Sequence, residues 1–94
     1  MAITLKFIGV LRHASGNEKI ALECKAGASL IDIVNAVTKE IPALRRNLLD
    51  EQLEAPKPNA LILVNGKEIS VLNGLETKVK DGDEVVFVPV VHGG

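Results

Sequence analysis

The sequence predicts a small α+β domain in which a mixed sheet of four to five strands packs on one main helix, with a short second helix. Three observations predict it. Segments near the two ends, Phe7-Ile8-Gly9-Val10-Leu11 and Val85-Val86-Phe87-Val88, are apolar on both faces. Such runs mark strands covered on both sides or lying at the centre of a sheet. Between them runs a single amphipathic helical pattern. Asn65-Gly66, between two strand-like runs, is a strong hairpin signal. The first and last strands are therefore expected to pair in parallel in the middle of one sheet. The order strand, strand, helix, strand, short strand, strand is that of a β-grasp roll. All 94 residues are expected to form this one domain, with a flexible tail from about residue 90.

The first strand is expected from Ile3 to Val10, where Ile3, Leu5 and Phe7 alternate with Thr4 and Lys6. Gly9 marks a bulge or a close approach of backbone. His13-Ala14-Ser15-Gly16-Asn17 reads as a turn, and Glu18–Lys25 as a second strand, the two strands forming a hairpin. Ile20, Leu22 and Cys24 share one face of that strand. Ser29 is a good N-cap, with Asp32 in the first helical turn. Leu30, Ile33, Val34, Val37 and Ile41 then form one helical face, and Pro42 stops the helix near Ile41. Leu44, Leu48 and Leu53 suggest the shorter second helix. The segment Glu54-Ala55-Pro56-Lys57-Pro58-Asn59 is expected to be a stiff, extended connection. A third strand covers Ala60–Val64, and Asn65-Gly66 returns it to Lys67-Glu68-Ile69. Residues 71–79 are irregular, with a turn at Asn73-Gly74. Asp81-Gly82-Asp83 turns into the last strand, Glu84 to about Val91.

Composition narrows the function. Eleven basic and 12 acidic residues leave a formal charge of −1, without the basic face of a nucleic-acid binder. No run of apolar residues reaches bilayer length, so no membrane association is expected. Only Phe7 and Phe87 are aromatic, so the core must be aliphatic. A single cysteine, Cys24, and no leader pattern suggest a cytoplasmic setting. Neither His13 nor His92 has metal-ligand spacing, and the scattered glycines make no phosphate-cradling loop. Asp81-Gly82-Asp83-Glu84 lacks the spacing of a calcium loop. No bound cofactor or metal is expected, and no catalytic constellation is present.

What remains is the tail, Val90-Val91-His92-Gly93-Gly94. Two glycines make the thinnest possible peptide, free in φ and ψ and open to close approach by other groups. Such a tail suits a narrow channel, and the Gly94 carboxylate is then the reactive group. Phe87 and Val85 are expected to face the helix, which turns Val86, Val88 and Val90 to the opposite, uncovered face as a partner-binding row beside His92. Pro89 lacks an N–H and helps the tail leave the sheet.

Leu63-Val64-Asn65-Gly66, then Val79-Lys80-Asp81-Gly82-Asp83-Glu84-Val85, then Gly93-Gly94, resemble the MoaD/ThiS family of ubiquitin-like sulfur carriers. Phe7-Ile8-Gly9-Val10-Leu11-Arg12 is similar to the MoaD opening, and the length is nearer MoaD than ThiS. The MoaD tail usually carries a Pro-Pro pair, where this chain has Pro89-Val90. The ending His92-Gly93-Gly94 is more similar to the eukaryotic ubiquitin-related modifier. The resemblance implies a ubiquitin-activating-enzyme-like adenylyltransferase of the MoeB/ThiF type. It would bind the open sheet face and use ATP-Mg to adenylate Gly94. A persulfide sulfur then replaces AMP, leaving a thiocarboxylate. In the molybdopterin synthase reading this chain is the small subunit, and a MoaE-type large subunit supplies the catalytic groups. The alternatives are a modifier whose Gly94 is joined to lysines of target proteins or passes sulfur to tRNA, and a plain β-grasp interaction module.

Overall fold

The structure is a computed structural model and describes residues 1–50, 55–56 and 60–89. Five strands form the main sheet: β1 (Ala2–Phe7), β2 (Lys19–Glu23), β5 (Ala60–Val64), β6 (Lys67–Glu68) and β7 (Glu84–Pro89). Their order is β2-β1-β7-β5-β6, with β1 and β7 parallel and the other pairs antiparallel. The first and last strands are the neighbours at the centre, as expected, although the doubly apolar run Phe7–Leu11 lies mostly beyond β1. A separate two-stranded ribbon joins β3 (Leu49–Asp50) to β4 (Ala55–Pro56). This ribbon falls partly where an extended connection was expected. Leu53 and residues 57–59 lie outside the described residues, as do residues 90–94.

Among the described residues three α-helices accompany the sheet: α1 (Val10–Ser15), α2 (Leu30–Glu40) and α3 (Pro42–Leu48). In α2, Leu30, Ile33, Val34 and Val37 are buried, as the periodicity predicts. Its N-terminus is held by Asp32, whose Oδ2 accepts from the Ser29 N–H at 3.1 Å and from the Ser29 hydroxyl at 3.0 Å. Thr38 is buried within this face; its hydroxyl donates to the Val34 carbonyl at 2.8 Å and so carries no unsatisfied group inward. Pro42 ends α2 and opens α3, where a proline costs no hydrogen bond. Leu44 of α3 is fully buried.

One core lies between sheet and helices. Ile3, Leu5, Phe7, Leu22, Ile62, Val64, Val85 and Phe87 enter it from the sheet, and Leu11, Leu30, Ile33, Val34, Val37 and Leu44 from the helices. Phe7 and Phe87 are register neighbours and stack with ring centroids 5.6 Å apart and 13° between planes. The hairpin β5–β6 pairs Val64 with Lys67 around Asn65 (φ 49°) and Gly66 (φ 85°), the two left-handed positions that a two-residue turn of this kind requires.

Two expectations are corrected. The first strand ends at Phe7, not Val10, and Val10–Ser15 is a helix rather than strand and turn. Strands β1 and β2 pair antiparallel as expected, but α1 lies between them in place of a tight hairpin. The alternation failed here because Val10, 53% exposed, does not bury, while Leu11 does so from a helix.

Candidate functional site

The acidic turn 81–83 positions the start of β7. Asp81 Oδ1 accepts from the Ala2 N–H at 2.8 Å, and the Gly82 N–H donates to the Ala2 carbonyl at 2.8 Å. Asp83 accepts from the Lys80 N–H at 2.8 Å through Oδ2 and from the Asn65 amide at 2.9 Å through Oδ1. The same Asn65 side chain accepts from the Glu84 N–H at 2.9 Å. These carboxylates fasten β7 to β1 and to the β5–β6 turn. Among the described residues, no three His, Cys, Asp or Glu side chains gather as a metal site.

Along β7, Val85 and Phe87 are fully buried, and Val86 and Val88 point to the other face, where both are half-buried. The expected alternation of faces is thus observed from Val85 to Val88, with the far face half-buried rather than uncovered. On that face Val86 lies opposite Leu63, and Val88 opposite Leu61, which is 37% exposed. Lys6 stands beside Val86 on the β1 side. Ile8, 39% exposed, donates its N–H to the Phe87 carbonyl at 3.1 Å and closes the apolar row at the same end. Sequence reasoning missed Leu61, Leu63 and Ile8. The signal was weak because Ala60–Val64 is apolar throughout, and alternation alone does not say which face is buried. Of the other residues expected at the site, Val90, His92, Gly93 and Gly94 lie outside the described residues.

The end of β7 is shaped by Gly9 and Pro89. Pro89 pairs with Ala60 in register, and the ladder bonds to β5 fall on Val86 and Val88, so the missing N–H costs nothing there. On the β1 side its N–H would have met the Ile8 carbonyl. That carbonyl accepts instead from the Leu11 N–H at 3.2 Å, in the first turn of α1. Gly9 has φ +59°, and a Cβ there would sit 3.2 Å from Pro89 Cγ. The close approach expected of Gly9 is therefore observed, and it is made by Pro89. Beside it opens a cavity of about 600 Å³ lined by Gly9, Arg12, His13, Gly16, Asn17 and Glu18, with Arg12 Nη2 4.0 Å from Glu18 Oε2.

Cys24 is half-buried against the core, and burial pushes its thiol above the ordinary value, with the Met1 ammonium pulling the other way. It is placed as a small apolar residue. No described helix is long and apolar enough to cross a membrane.

The chain resembles known proteins over its full length. It is 30% identical over 94 residues to small archaeal modifier protein 3 of Haloferax volcanii, and 31% identical over 103 aligned residues to ubiquitin-related modifier 1 homolog 1 of Arabidopsis thaliana, with 100% of both chains covered in each case. Its fold matches the solution structure of small archaeal modifier protein 1 from Methanosarcina acetivorans with a TM-score of 0.88 and 33% identity, covering 99% of this chain and 96% of that one. It also matches a chain of the BexX/CysO complex of Amycolatopsis orientalis with a TM-score of 0.75 and 29% identity, covering 98% and 99%. The β-grasp fold is common to all of these. The ThiS family model matches residues 5–94, through both terminal glycines, and the chain therefore belongs to the ThiS family of ubiquitin-like sulfur carriers and modifiers.

Proposed function

We propose that this chain is a carrier whose Gly94 carboxylate is the reacting group and whose activating enzyme docks on Val86 and Val88. The observation that carries the reading is the central strand β7. It is locked on both sides, apolar on an open face, and it runs toward His92-Gly93-Gly94. The docking row is extended by Leu61, Leu63 and Ile8. A carboxylate is a poor electrophile, so activation must come first. A carboxylate oxygen attacks the α-phosphorus of ATP and pyrophosphate leaves. A persulfide sulfur of a sulfur donor then attacks the acyl carbon and AMP leaves. Cleavage of the resulting acyl disulfide by a second thiol releases the thiocarboxylate. This chain supplies the carboxylate and the docking face; the partner supplies ATP-Mg and the catalytic groups. The existence of a BexX/CysO complex supports a carrier of this fold that works while bound to another protein.

Two acceptors fit. In one, the chain is the small subunit of a molybdopterin synthase and hands sulfur to a pterin precursor held by a large subunit; its length and the Phe7–Arg12 opening favour this. In the other, Gly94 is joined to lysines or its sulfur goes to tRNA; the His92-Gly93-Gly94 ending and the two modifier relatives favour it.

The test is ATP–pyrophosphate exchange by a ThiF-type activating enzyme. Exchange should require this chain and vanish on deletion of Gly94, and exchange indifferent to that deletion would refute the reading. The acceptors separate by mass spectrometry. Lys80 is the last lysine or arginine, so a tryptic digest of conjugates should carry residues 81–94 as a branch on lysine. Cells in which the chain is active but that branch is missing count against joining to lysines and leave sulfur transfer, to the pterin precursor or to tRNA.

A further inference from the structure

Strand β2 forms one edge of the main sheet. Its backbone pairing is settled by three bonds. The Phe7 N–H donates to the Glu18 carbonyl at 2.9 Å, the Cys24 N–H to the Met1 carbonyl at 2.8 Å, and the Met1 ammonium to the Cys24 carbonyl at 2.9 Å. In an antiparallel ladder such bonds fall on alternate residues. Glu18, Ile20, Leu22 and Cys24 therefore turn their backbone groups to β1. Lys19, Ala21 and Glu23 turn theirs outward, and no described strand pairs with them.

The charges along this edge complement themselves. Lys19 and Glu23 are both exposed and sit two residues on either side of Ala21. Within the sheet, Lys19 lies directly opposite Lys6, an unfavourable like-charge pair, and among the described residues neither lysine has an acidic partner. Among the described residues Glu23 has only the Met1 ammonium, 3.8 Å away, and its side chain is 85% exposed.

We infer that a second copy of this chain docks antiparallel on the β2 edge, about a two-fold axis through Ala21, making one ten-stranded sheet. In this register Ala21 faces its own copy, Lys19 faces the second copy's Glu23, and Glu23 faces the second copy's Lys19. All three pairs are of the type that exchanges both backbone bonds, so every outward N–H and C=O from Lys19 to Glu23 is satisfied. The incoming carboxylate lies beside the Lys19–Lys6 pair and offsets its repulsion. On the helix side Ile20 meets the second copy's Leu22, next to a groove of about 370 Å³ lined in part by Cys24, Ala28, Ile33 and Ala36. A shift of register by two residues loses both ion pairs, so the charges select one alignment. The contact is short, which makes the dimer weak and dependent on concentration. It leaves Val86 and Val88 uncovered.

Sedimentation equilibrium from micromolar to millimolar concentration tests this. A reversible monomer–dimer equilibrium is expected. Lys19→Glu and Glu23→Lys should each weaken it by roughly tenfold, since each change spoils both symmetric pairs, and the double variant should restore it. Ala21→Pro should abolish it, because the N–H removed is one that β1 does not use. The charge variants alter exposed side chains only, and circular dichroism would verify that each remains folded. A chain that stays monomeric at millimolar concentration overturns the inference. So does a dimer in which charge reversal has no effect, or one lost with Val88→Asp, which would lie on the open sheet face.

Discussion

Gly9 and Pro89 meet where the central strands end. A side chain at residue 9 would have to hold φ +59° and place its Cβ 3.2 Å from the proline ring. Gly9→Ala should therefore cost about 2 kcal/mol in urea denaturation. Gly27→Ala provides the comparison: φ there is +82° with nothing within 4 Å, so only the backbone strain of about 1 kcal/mol is paid. In a Pro89→Ala background the cost at Gly9 should fall, leaving the strain of its φ 59°, ψ −130° backbone; equal costs with and without the proline ring would contradict the contact. Cys24 offers a second test at this scale. Its thiol is raised chiefly by burial, so the neutral form is favoured in the folded state. The resulting stabilisation is present below the ordinary thiol value and is lost as pH rises through the raised one. Iodoacetamide at pH 8 should alkylate Cys24 more slowly than it alkylates the unfolded chain, and equal rates would refute the assignment.

Among the elements, β7 carries the most weight. Its two faces do different things, and substitution should separate them. Val85→Asp puts a carboxylate into the core and should cost about 3 kcal/mol or more. Val88→Asp should leave the melting transition nearly unchanged yet weaken binding of the activating enzyme by roughly tenfold or more, measured by titration calorimetry. A Val88→Asp chain that unfolds would mean the faces are assigned wrongly. The faces of β7 were legible in the sequence because Phe87 is too large to leave exposed, which fixes its neighbours by alternation. Helix α2 was legible from its periodicity and from the Ser29–Asp32 cap. Helix α1 was not. Its six residues hold too little periodicity to separate from the strand before it, and its start depends on Pro89, far away in the chain, leaving the Ile8 carbonyl free. The β3–β4 ribbon was hidden for a similar reason, since two-residue strands carry no pattern.

At the scale of the molecule, the parallel pairing of first and last strands was expected from apolar runs at both ends; that character holds for β7, whereas the run Phe7–Leu11 lies mostly beyond β1, which itself alternates. The proposed docking surface could be read only in part, because Leu61, Leu63 and Ile8 join Val86 and Val88 through sheet order rather than through any local motif. The resulting architecture has a central strand paired on both sides, one partly exposed apolar face, and no metal-binding cluster among the described residues. It is consistent with the proposal that the chain is acted upon by a partner, with its chemistry at Gly94. The most direct measurement is the intact mass of the chain after incubation with a ThiF-type activating enzyme, ATP and a persulfide donor. The account predicts a gain equal to exchange of one oxygen for sulfur, lost when Gly94 is deleted. An unchanged mass, or a gain that survives that deletion, would contradict it.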